Sequence, residues 1–247
     1  MLKEYQADFH VHTVLSPCGD IIMTPQNIID TAQARGIDIL AVTDHNSAEN
    51  LRVTMELAEE SKIKIIPGME VETKEGIHLI ALFSDLEQVI DFQKIIYNNL
   101  PSVKNNEDLF GPQLITNNQD KFIDRLERLL LISANLSLEK IVNEVRQRNG
   151  VVYPAHIDRK EYSILTNLGF IPAEIDFPVL EVSKHASISD LYNRFPLLRS
   201  YQLVRASDAH YLHDIVPNLS LKLAEPTLEE ILLAFRRESG REVEVIE

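Results

Sequence analysis

Histidines and acids follow the short apolar runs of this chain, and this pattern constrains the fold more than any other feature. The runs are rich in residues typical of buried strands, and they span residues 5–9, 37–42, 63–66, 151–154 and 203–206. The polar residues at or near the ends of such runs are His10, His12, Asp44, His45, Glu70, His78, His156, Asp208 and His210. Since the carboxyl ends of parallel strands meet at one face of a sheet or barrel, we expect these side chains to converge there.

The spacing within two of these motifs indicates metal binding. His10 and His12 are two residues apart, so on a strand both side chains leave the same face, and Asp208 and His210 repeat this geometry. Taken singly, the first pair could be an ordinary surface pair, and Asp44 could cap a following helix. Six of the eight histidines occupy such positions, however. Imidazole and carboxylate suit zinc, manganese or iron, and the set as a whole predicts a polynuclear metal centre.

The order of these motifs resembles that of a known family. The matching stretches are Asp8-Phe-His-Val-His-Thr, Ala41-Val-Thr-Asp-His-Asn, Pro67-Gly-Met-Glu, the strand of His78, Pro154-Ala-His156 and Ser207-Asp-Ala-His210. Together they resemble the PHP (polymerase and histidinol phosphatase) domain family of metal-dependent phosphoesterases. Ser16-Pro-Cys-Gly-Asp20 and Pro154-Ala-His-Ile-Asp-Arg159 look closest to the small stand-alone bacterial members. Nothing in the sequence resembles a polymerase module.

The resemblance implies an α/β fold, a distorted seven-stranded TIM-like β/α barrel with two or three divalent metals (Zn, Mn or Fe) at its mouth. By motif, the first metal would be held by His10, His12, Glu70 and Asp208. Glu70 would bridge to a second metal on His78 and His156, while His45 and His210 would hold a third. Glu70 and Asp208 would thereby also be catalytic.

The last ligand of the third metal is where this sequence departs from the family pattern. Family members usually supply a His or Asp in the loop after the first motif, whereas this chain offers Cys18 and Asp20. We favour Asp20, because a carboxylate is the ordinary ligand of a hydrolytic site. A Cys18 thiolate would instead favour zinc, and Cys18 could also be a small buried hydrophobe.

Length and composition favour one domain over residues 1–247. The apolar content of 45% can build a full core, and no apolar run approaches a membrane span. A single cysteine excludes an internal disulfide and suits the cytoplasm, and the first strand begins too early to leave room for a signal peptide. The formal charge of −14 argues against a protein that binds long nucleic acids through their phosphates. We therefore expect a small phosphorylated substrate; the oligomeric state is not predicted.

Local patterns place the remaining elements. Thr24-Pro25 predicts the start of a helix that continues to Arg35, and Asn46 or Ser47 the start of another that ends near residue 62. Only seven residues separate Glu70 from His78, too few for a parallel crossover, so an antiparallel hairpin is expected. An insertion at about 84–135 begins with a helix to about residue 98 and forms either a lid, a small helical subdomain or a solvated decoration.

The expected activity is hydrolysis of a phosphoester by metal-activated water. Arg159, three residues after His156, is the first choice for a cation that holds phosphate, with Lys184 and Arg205 as weaker candidates. His185 and His213 lie outside the motifs. The alternatives are a histidinol-phosphate phosphatase, a non-catalytic metal-stabilised regulatory module, and hydrolysis of C–N bonds, for which no strand-end lysine is a compelling bridging ligand.

Overall fold

A curled sheet of seven strands carries most of the predicted site residues at its strand ends. The structure is a computed structural model that describes residues 1–246. In spatial order the strands are β11 (Glu242–Val245), β10 (Leu219–Leu223), β1 (Lys3–Val11), β2 (Ile39–Val42), β3 (Lys64–Glu72), β4 (His78–Leu82) and β7 (Val151–Pro154). Two small sheets accompany it, an antiparallel pair β5 (Leu114–Thr116) and β6 (Phe122–Arg125) and a parallel pair β8 (Leu180–Val182) and β9 (Leu203–Arg205).

Helices connect these strands and cover the outside of the sheet. They are α1 (Pro25–Ala34), α2 (Leu51–Ala58), α3 (Leu86–Asn99), α4 (Glu107–Phe110), α5 (Leu138–Gln147), α6 (Ile164–Asn167), α7 (Ile188–Arg194) and α8 (Leu228–Phe235). The predicted start of α1 is confirmed, because the Thr24 side chain accepts a hydrogen bond from the backbone N–H of Asn27 and a proline follows it. Among residues 1–246, no helix has both the length and the apolar character needed to cross a membrane.

Helix α2 is shorter than the sequence predicted. It begins at Leu51, not at Asn46 or Ser47, because those two residues have other partners. Asn46 has a positive φ of 50°, and its side-chain amide donates to the carbonyl oxygens of Leu130 and Ile132. Ser47 bonds the hydroxyl of Tyr97. These tertiary contacts outweigh the local preference for capping.

The expected antiparallel hairpin is confirmed between β3 and β4. Its register pairs Glu72 with His78 and Glu70 with Ile80. Strands β1, β2 and β3 are parallel, so their carboxyl ends point the same way. Because β4 runs in the opposite direction, its first residue, His78, lies at the same end of the sheet. The hairpin therefore brings a ligand at a strand's beginning to the site formed by strand ends.

The predicted α/β fold is confirmed, with a curled seven-stranded sheet that forms half a barrel; full closure into a TIM-like barrel is not seen among residues 1–246. Strands β8 and β9 are only three residues long each and form their own two-stranded sheet. Strand β8 contacts the segment after β7 through a hydrogen bond from the Ile157 N–H to the Glu181 carbonyl. The segment after β9 contacts β1 through an isolated bridge between Val11 and Ala209. No continuous set of strand-to-strand hydrogen bonds joins this small sheet to the seven-stranded sheet among residues 1–246.

The insertion at residues 84–135 contains α3, α4 and the β5–β6 hairpin. Asn50, which precedes α2, anchors the insertion, since its side chain donates to the Leu114 carbonyl and accepts from the Thr116 N–H. Within the insertion, the Gln113 amide donates to the carbonyls of Leu126 and Arg128. Asn46 and Asn50 both come from the segment that follows β2, so the insertion is anchored beside the strand ends that carry the predicted ligands.

Candidate metal centre

The predicted metal ligands meet at one end of the curled sheet, with the exception of Asp20. His10 lies in β1, Glu70 in β3 and His78 at the start of β4. The others follow strands directly or within a few residues: His12, His45, His156, Asp208 and His210. All of these side chains are buried apart from His210, which is 21% exposed. The site is thus assembled from segments that are far apart in the sequence, as the strand-end pattern predicted.

Glu70 occupies the middle of this cluster. Its Oε1 lies near His78 Nδ1 (2.8 Å), His156 Nε2 (3.2 Å) and His10 Nε2 (3.3 Å), and its Oε2 lies near His45 Nδ1 (2.8 Å) and His12 Nε2 (3.4 Å). Each carboxylate oxygen therefore faces a different group of imidazoles. This is the arrangement that a carboxylate needs to bridge two cations.

The donor atoms of the cluster are spaced much as the ligands of one metal ion are. His10 Nε2 and His12 Nε2 are 3.1 Å apart, and Asp208 Oδ1 is 3.3 and 3.1 Å from them. Ligands of one tetrahedral ion with bonds of about 2.0–2.1 Å are about 3.4 Å apart. In addition, Glu70 Oε2 is buried without a hydrogen-bond partner, although His45 Nδ1 is close to it. Buried polar atoms ordinarily have partners, so these contacts indicate positions for cations.

Three groups of side chains could each hold an ion, because their ligand atoms lie within 4.8 Å of one another. The groups are His10, His12 and Asp208; His45, Glu70 and His78; and His12, His45 and His210. The groups share His12 and His45, so ions bound to them would be neighbours. The donors are imidazoles and carboxylates, which suit zinc, manganese and iron.

The charges of the cluster are strongly coupled. Burial alone would raise the pKa of Glu70, but His78, His10 and His45 outweigh it and hold that pKa well below its usual range. In His10, burial lowers the pKa, yet Glu181, Asp208 and Glu70 raise it well above its ordinary value. The buried carboxylates around His10 thus favour its protonated form when no metal is bound. Since a metal binds only the deprotonated ligands, metal and proton compete for this site.

Carboxylates outside the ligand set orient the histidines, and sequence analysis did not find this role. Glu181 Oε1 lies 2.9 Å from His10 Nδ1 and accepts a hydrogen bond from the His156 backbone N–H. On the other side, Ser16 Oγ is 3.0 Å from His12 Nδ1 and donates to Asp44. Hydrogen bonds to the far ring nitrogen fix both the tautomer and the orientation of a ligating imidazole. A charged residue inside the apolar strand Leu-Glu-Val was the available indication for Glu181.

The structure brings Cys18, not Asp20, to the cluster. Cys18 Sγ lies 3.1 Å from His210 Nε2, and Cys18 lines the same pocket as His45. Burial would raise the pKa of the Cys18 thiol, but His45 and His210 outweigh it and lower the pKa to about 6. Asp20 Oδ1 accepts a hydrogen bond from the Ile22 N–H, and Asp20 does not line the pocket.

The cluster opens into a pocket of about 310 Å³. Phe110 and Leu131 of the insertion form part of its wall, together with Arg159 and Tyr162. The Tyr162 ring is stacked on His78, with 4.3 Å between the ring centroids. Arg159 pairs with Asp208 Oδ2 and is 41% exposed, so it lies where the sequence predicted a phosphate-binding cation. A larger cavity of about 480 Å³ lies between α5 and α8 and contains none of the clustered ligands.

The other candidate cations and histidines lie outside the pocket. Lys184 pairs with Asp214, and the Arg205 guanidinium donates to the carbonyls of Ile246 and Ala186. These partners give both side chains structural roles. His185 and His213 are exposed, the latter at 77%.

Comparison with known proteins identifies the family. A model of the PHP domain matches residues 8–162. The chain belongs to the PHP domain family. The resemblance noted in the sequence is therefore confirmed, and the matched region contains all of the clustered ligands except Asp208 and His210.

Individual relatives are similar over shorter segments. The uncharacterised protein MJ1587 of Methanocaldococcus jannaschii is 35% identical over 86 residues, which are 32% of this chain and 50% of that protein. A 5'-3' exoribonuclease of Haemophilus influenzae is 32% identical over 88 residues, which are 34% of this chain and 30% of that protein. These matches span half or less of the relatives' own length.

Several solved structures are similar over nearly the whole chain. The lesion-specific endonuclease PfuEndoQ from Pyrococcus furiosus has a TM-score of 0.76 at 18% identity, and the match covers 98% of this chain and 58% of that chain. Identity this low shows a shared fold alone. The structural similarity continues after residue 162, so the shared fold extends beyond the region that the PHP domain model matches.

Proposed function

We propose that this PHP protein is a metal-dependent phosphoesterase that hydrolyses small phosphorylated substrates such as nucleotides, short oligonucleotides or phosphorylated metabolites. The observation that carries the proposal is the convergence of six imidazoles on Glu70 and Asp208 at the base of a pocket that also contains Arg159. Membership of the family supports the same chemistry. A cytoplasmic location is part of the proposal, as the single cysteine suits a reducing compartment.

The side chains have separate roles in this proposal. His10, His12, Asp208, His45, His78, His156 and His210 would hold two or three divalent metals, with Glu70 between them. Divalent metals bound there would lower the pKa of a water molecule and neutralise charge on phosphoryl oxygens. Glu181 and the Ser16–Asp44 pair keep His10 and His12 in the orientations that direct Nε2 into the cluster. Residues outside the ligand set therefore preorganise the centre.

Arg159 would hold the substrate phosphate. The salt bridge to Asp208 involves Nη1, and a guanidinium has five N–H donors in a planar fork. The remaining donors can bind phosphoryl oxygens while the pairing keeps Asp208 in place. Arg159 thus connects a metal ligand with the substrate.

The size and wall of the pocket favour a small substrate. A volume of about 310 Å³ is at the lower end of the range of about 300–1,000 Å³ for small-molecule sites. Phe110 and Leu131 offer an apolar surface beside the polar cluster. We propose that residues 84–135 form this side of the entrance, which is the lid role, one of the three alternatives that the sequence left open.

The test is a screen with reconstituted protein. Metal-free protein is loaded with Mn²⁺, Zn²⁺ or Fe²⁺ and incubated with nucleotides, short oligonucleotides, histidinol phosphate and other phosphorylated metabolites. We expect hydrolysis only in the loaded protein, and none in Glu70→Gln, which keeps the size of the side chain. A fully loaded native protein that hydrolyses no phosphoester would instead support a non-catalytic, metal-stabilised module.

A second candidate function is cleavage of DNA. Fold similarity to a lesion-specific endonuclease over 98% of this chain favours it, whereas the formal charge of −14 opposes it, because binding to duplex DNA rests on cationic contacts with phosphates. Adding a lesion-containing duplex to the screen separates the two. Internal cleavage of that duplex, with little activity on small substrates, would favour the nuclease.

A further inference from the structure

The loop that follows β1 is held rigidly beside the metal centre. The Ser16 N–H donates to the Thr13 carbonyl, and the Gly19 N–H donates to the Ser16 carbonyl. The Asp20 N–H donates to the His210 carbonyl, which joins the loop directly to a predicted ligand segment. The turn is also tightly packed at Gly19, where a Cβ atom would lie only 3.2 Å from the carbonyl oxygens of Thr13 and Ser16. The position of Cys18 between these anchors is therefore fixed.

The fixed loop directs the Cys18 thiol at two imidazoles of the centre. Its Sγ is 3.1 Å from His210 Nε2, and the thiol also interacts with His45. Nitrogen and sulfur ligands of one tetrahedral zinc ion are about 3.5 Å apart when their bonds are about 2.0 and 2.3 Å long. The Cys18–His210 distance is thus close to that of two ligands of one ion. His45 and His210 also belong to one of the groups whose ligand atoms lie close together.

A second observation indicates that an ion belongs at this position. Glu70 is 1% exposed, and its Oε2 has no hydrogen-bond partner although it lies 2.8 Å from His45 Nδ1. A buried carboxylate oxygen without a partner is costly. A cation held by His45, His210 and the thiolate would lie next to this oxygen and stabilise it.

We propose that the Cys18 thiolate is a ligand of the third metal, together with His45 and His210, and that it makes this position selective for zinc. The proposal rests on the metal-dependent function proposed above and deepens it, since the remaining positions have only imidazole and carboxylate ligands. Thiolate ligands select zinc, whereas carboxylates suit manganese. The centre would then combine one zinc-selective position with others that accept manganese or iron.

The experiment reads the metal–sulfur bond directly and does not depend on activity. Zinc-loaded protein is examined by X-ray absorption, and cobalt-loaded protein by its thiolate-to-metal charge-transfer band. Native protein should show a sulfur neighbour at about 2.3 Å and the band. Cys18→Ser should lose both signals and one metal equivalent, while Cys18→Asp should lose the signals but keep the metal. Asp20→Asn is the matched control in the same loop and should behave as the native protein.

Alkylation of the native chain gives a measurement without mutation. Cys18 is the chain's single cysteine. The residue is exposed at the pocket although its thiol lies against His210, so iodoacetamide should modify it rapidly in metal-free protein and much more slowly after zinc is added. Metal-loaded native protein without a sulfur neighbour, or loss of a metal in Asp20→Asn but not in Cys18→Ser, would overturn the proposal and leave the phosphoesterase function standing. A protein that binds no metal would refute both.

Discussion

The buried carboxyl of Asp8 should make the metal-free protein less stable as the pH rises. Asp8 lies in β1 beneath the metal centre and is fully buried. Its Oδ1 accepts hydrogen bonds from the backbone N–H groups of Ser207 and His10, but its Oδ2 has no partner. Burial outweighs these contacts and raises the pKa of Asp8 from 3.8 to about 7. The folded protein therefore keeps a proton that the unfolded chain releases at much lower pH.

The sign and size of the effect follow from this difference. Between pH 4 and 7 the folded state binds more protons at Asp8 than the unfolded state does, so the free energy of unfolding falls as the pH rises. One pKa unit is equivalent to about 1.4 kcal/mol, so the full difference amounts to about 4 kcal/mol. About 3 kcal/mol of it should be lost between pH 5 and pH 8. Above about pH 8 both states are almost fully ionised at Asp8 and the loss is nearly complete.

The assay is denaturant unfolding of metal-free native protein and of Asp8→Asn at pH 5 and pH 8. The amide stays neutral, so the variant should lose about 3 kcal/mol less than the native protein over this interval. Any constant cost of the substitution cancels, because each protein is compared with itself. Asp38→Asn, at a partly exposed carboxylate that accepts from the Gln6 N–H, should show the native pH dependence. Equal losses in native protein and Asp8→Asn would refute the reasoning.

Three further predictions concern the centre itself. Elemental analysis of reconstituted protein should give more than one metal per chain, because the ligand groups around Glu70 are too many for one ion; a maximum of one would contradict the polynuclear centre. Glu181→Gln should lower metal affinity or activity by about 10- to 100-fold through the misoriented His10 ring, without unfolding the protein; unchanged metal titration and kinetics would remove Glu181 from the orienting role. Arg159→Ala should raise KM, lower kcat and weaken inhibition by inorganic phosphate, and Arg159→Lys should restore part of the loss, because lysine gives a point charge in place of the fork. Equal phosphate inhibition of native protein and Arg159→Ala would place Arg159 outside the substrate site.

The convergence of the ligands was predictable because it depends on local features. Short apolar runs predict strands, and a parallel sheet brings the residues after its strands to one end. His10 and His12 needed only the two-residue period of a strand to share a face. The position of His78 followed from the short connection to Glu70, which excludes a crossover. None of these inferences required knowledge of how distant side chains pack.

The start of α2 was predicted wrongly because it depends on tertiary contacts. Asn46 looked like a helix cap, but its side chain bonds carbonyl groups of the insertion more than 80 residues away. Full closure of the barrel could not be predicted either, because an apolar run does not show how many of its residues will pair; β8 and β9 pair over only three residues each. The choice between Cys18 and Asp20 as the metal ligand also depends on how the loop packs, which the sequence does not show. Both lie in one loop, in which the Asp20 N–H donates to the His210 carbonyl while the Cys18 thiol lies beside the His210 ring.

Buried carboxylates near the centre separate into two classes that the sequence cannot distinguish. Glu70 and Asp208 face the imidazole nitrogens that converge, whereas Glu181 faces the opposite ring nitrogen of His10. A strand-end position indicates only that an acid is near the site, not which atom of the ring it meets. The distinction has a chemical consequence. Metals and protons compete for acids of the first class. Glu181 instead raises the basicity of a ligand and should affect metal affinity without being a ligand itself.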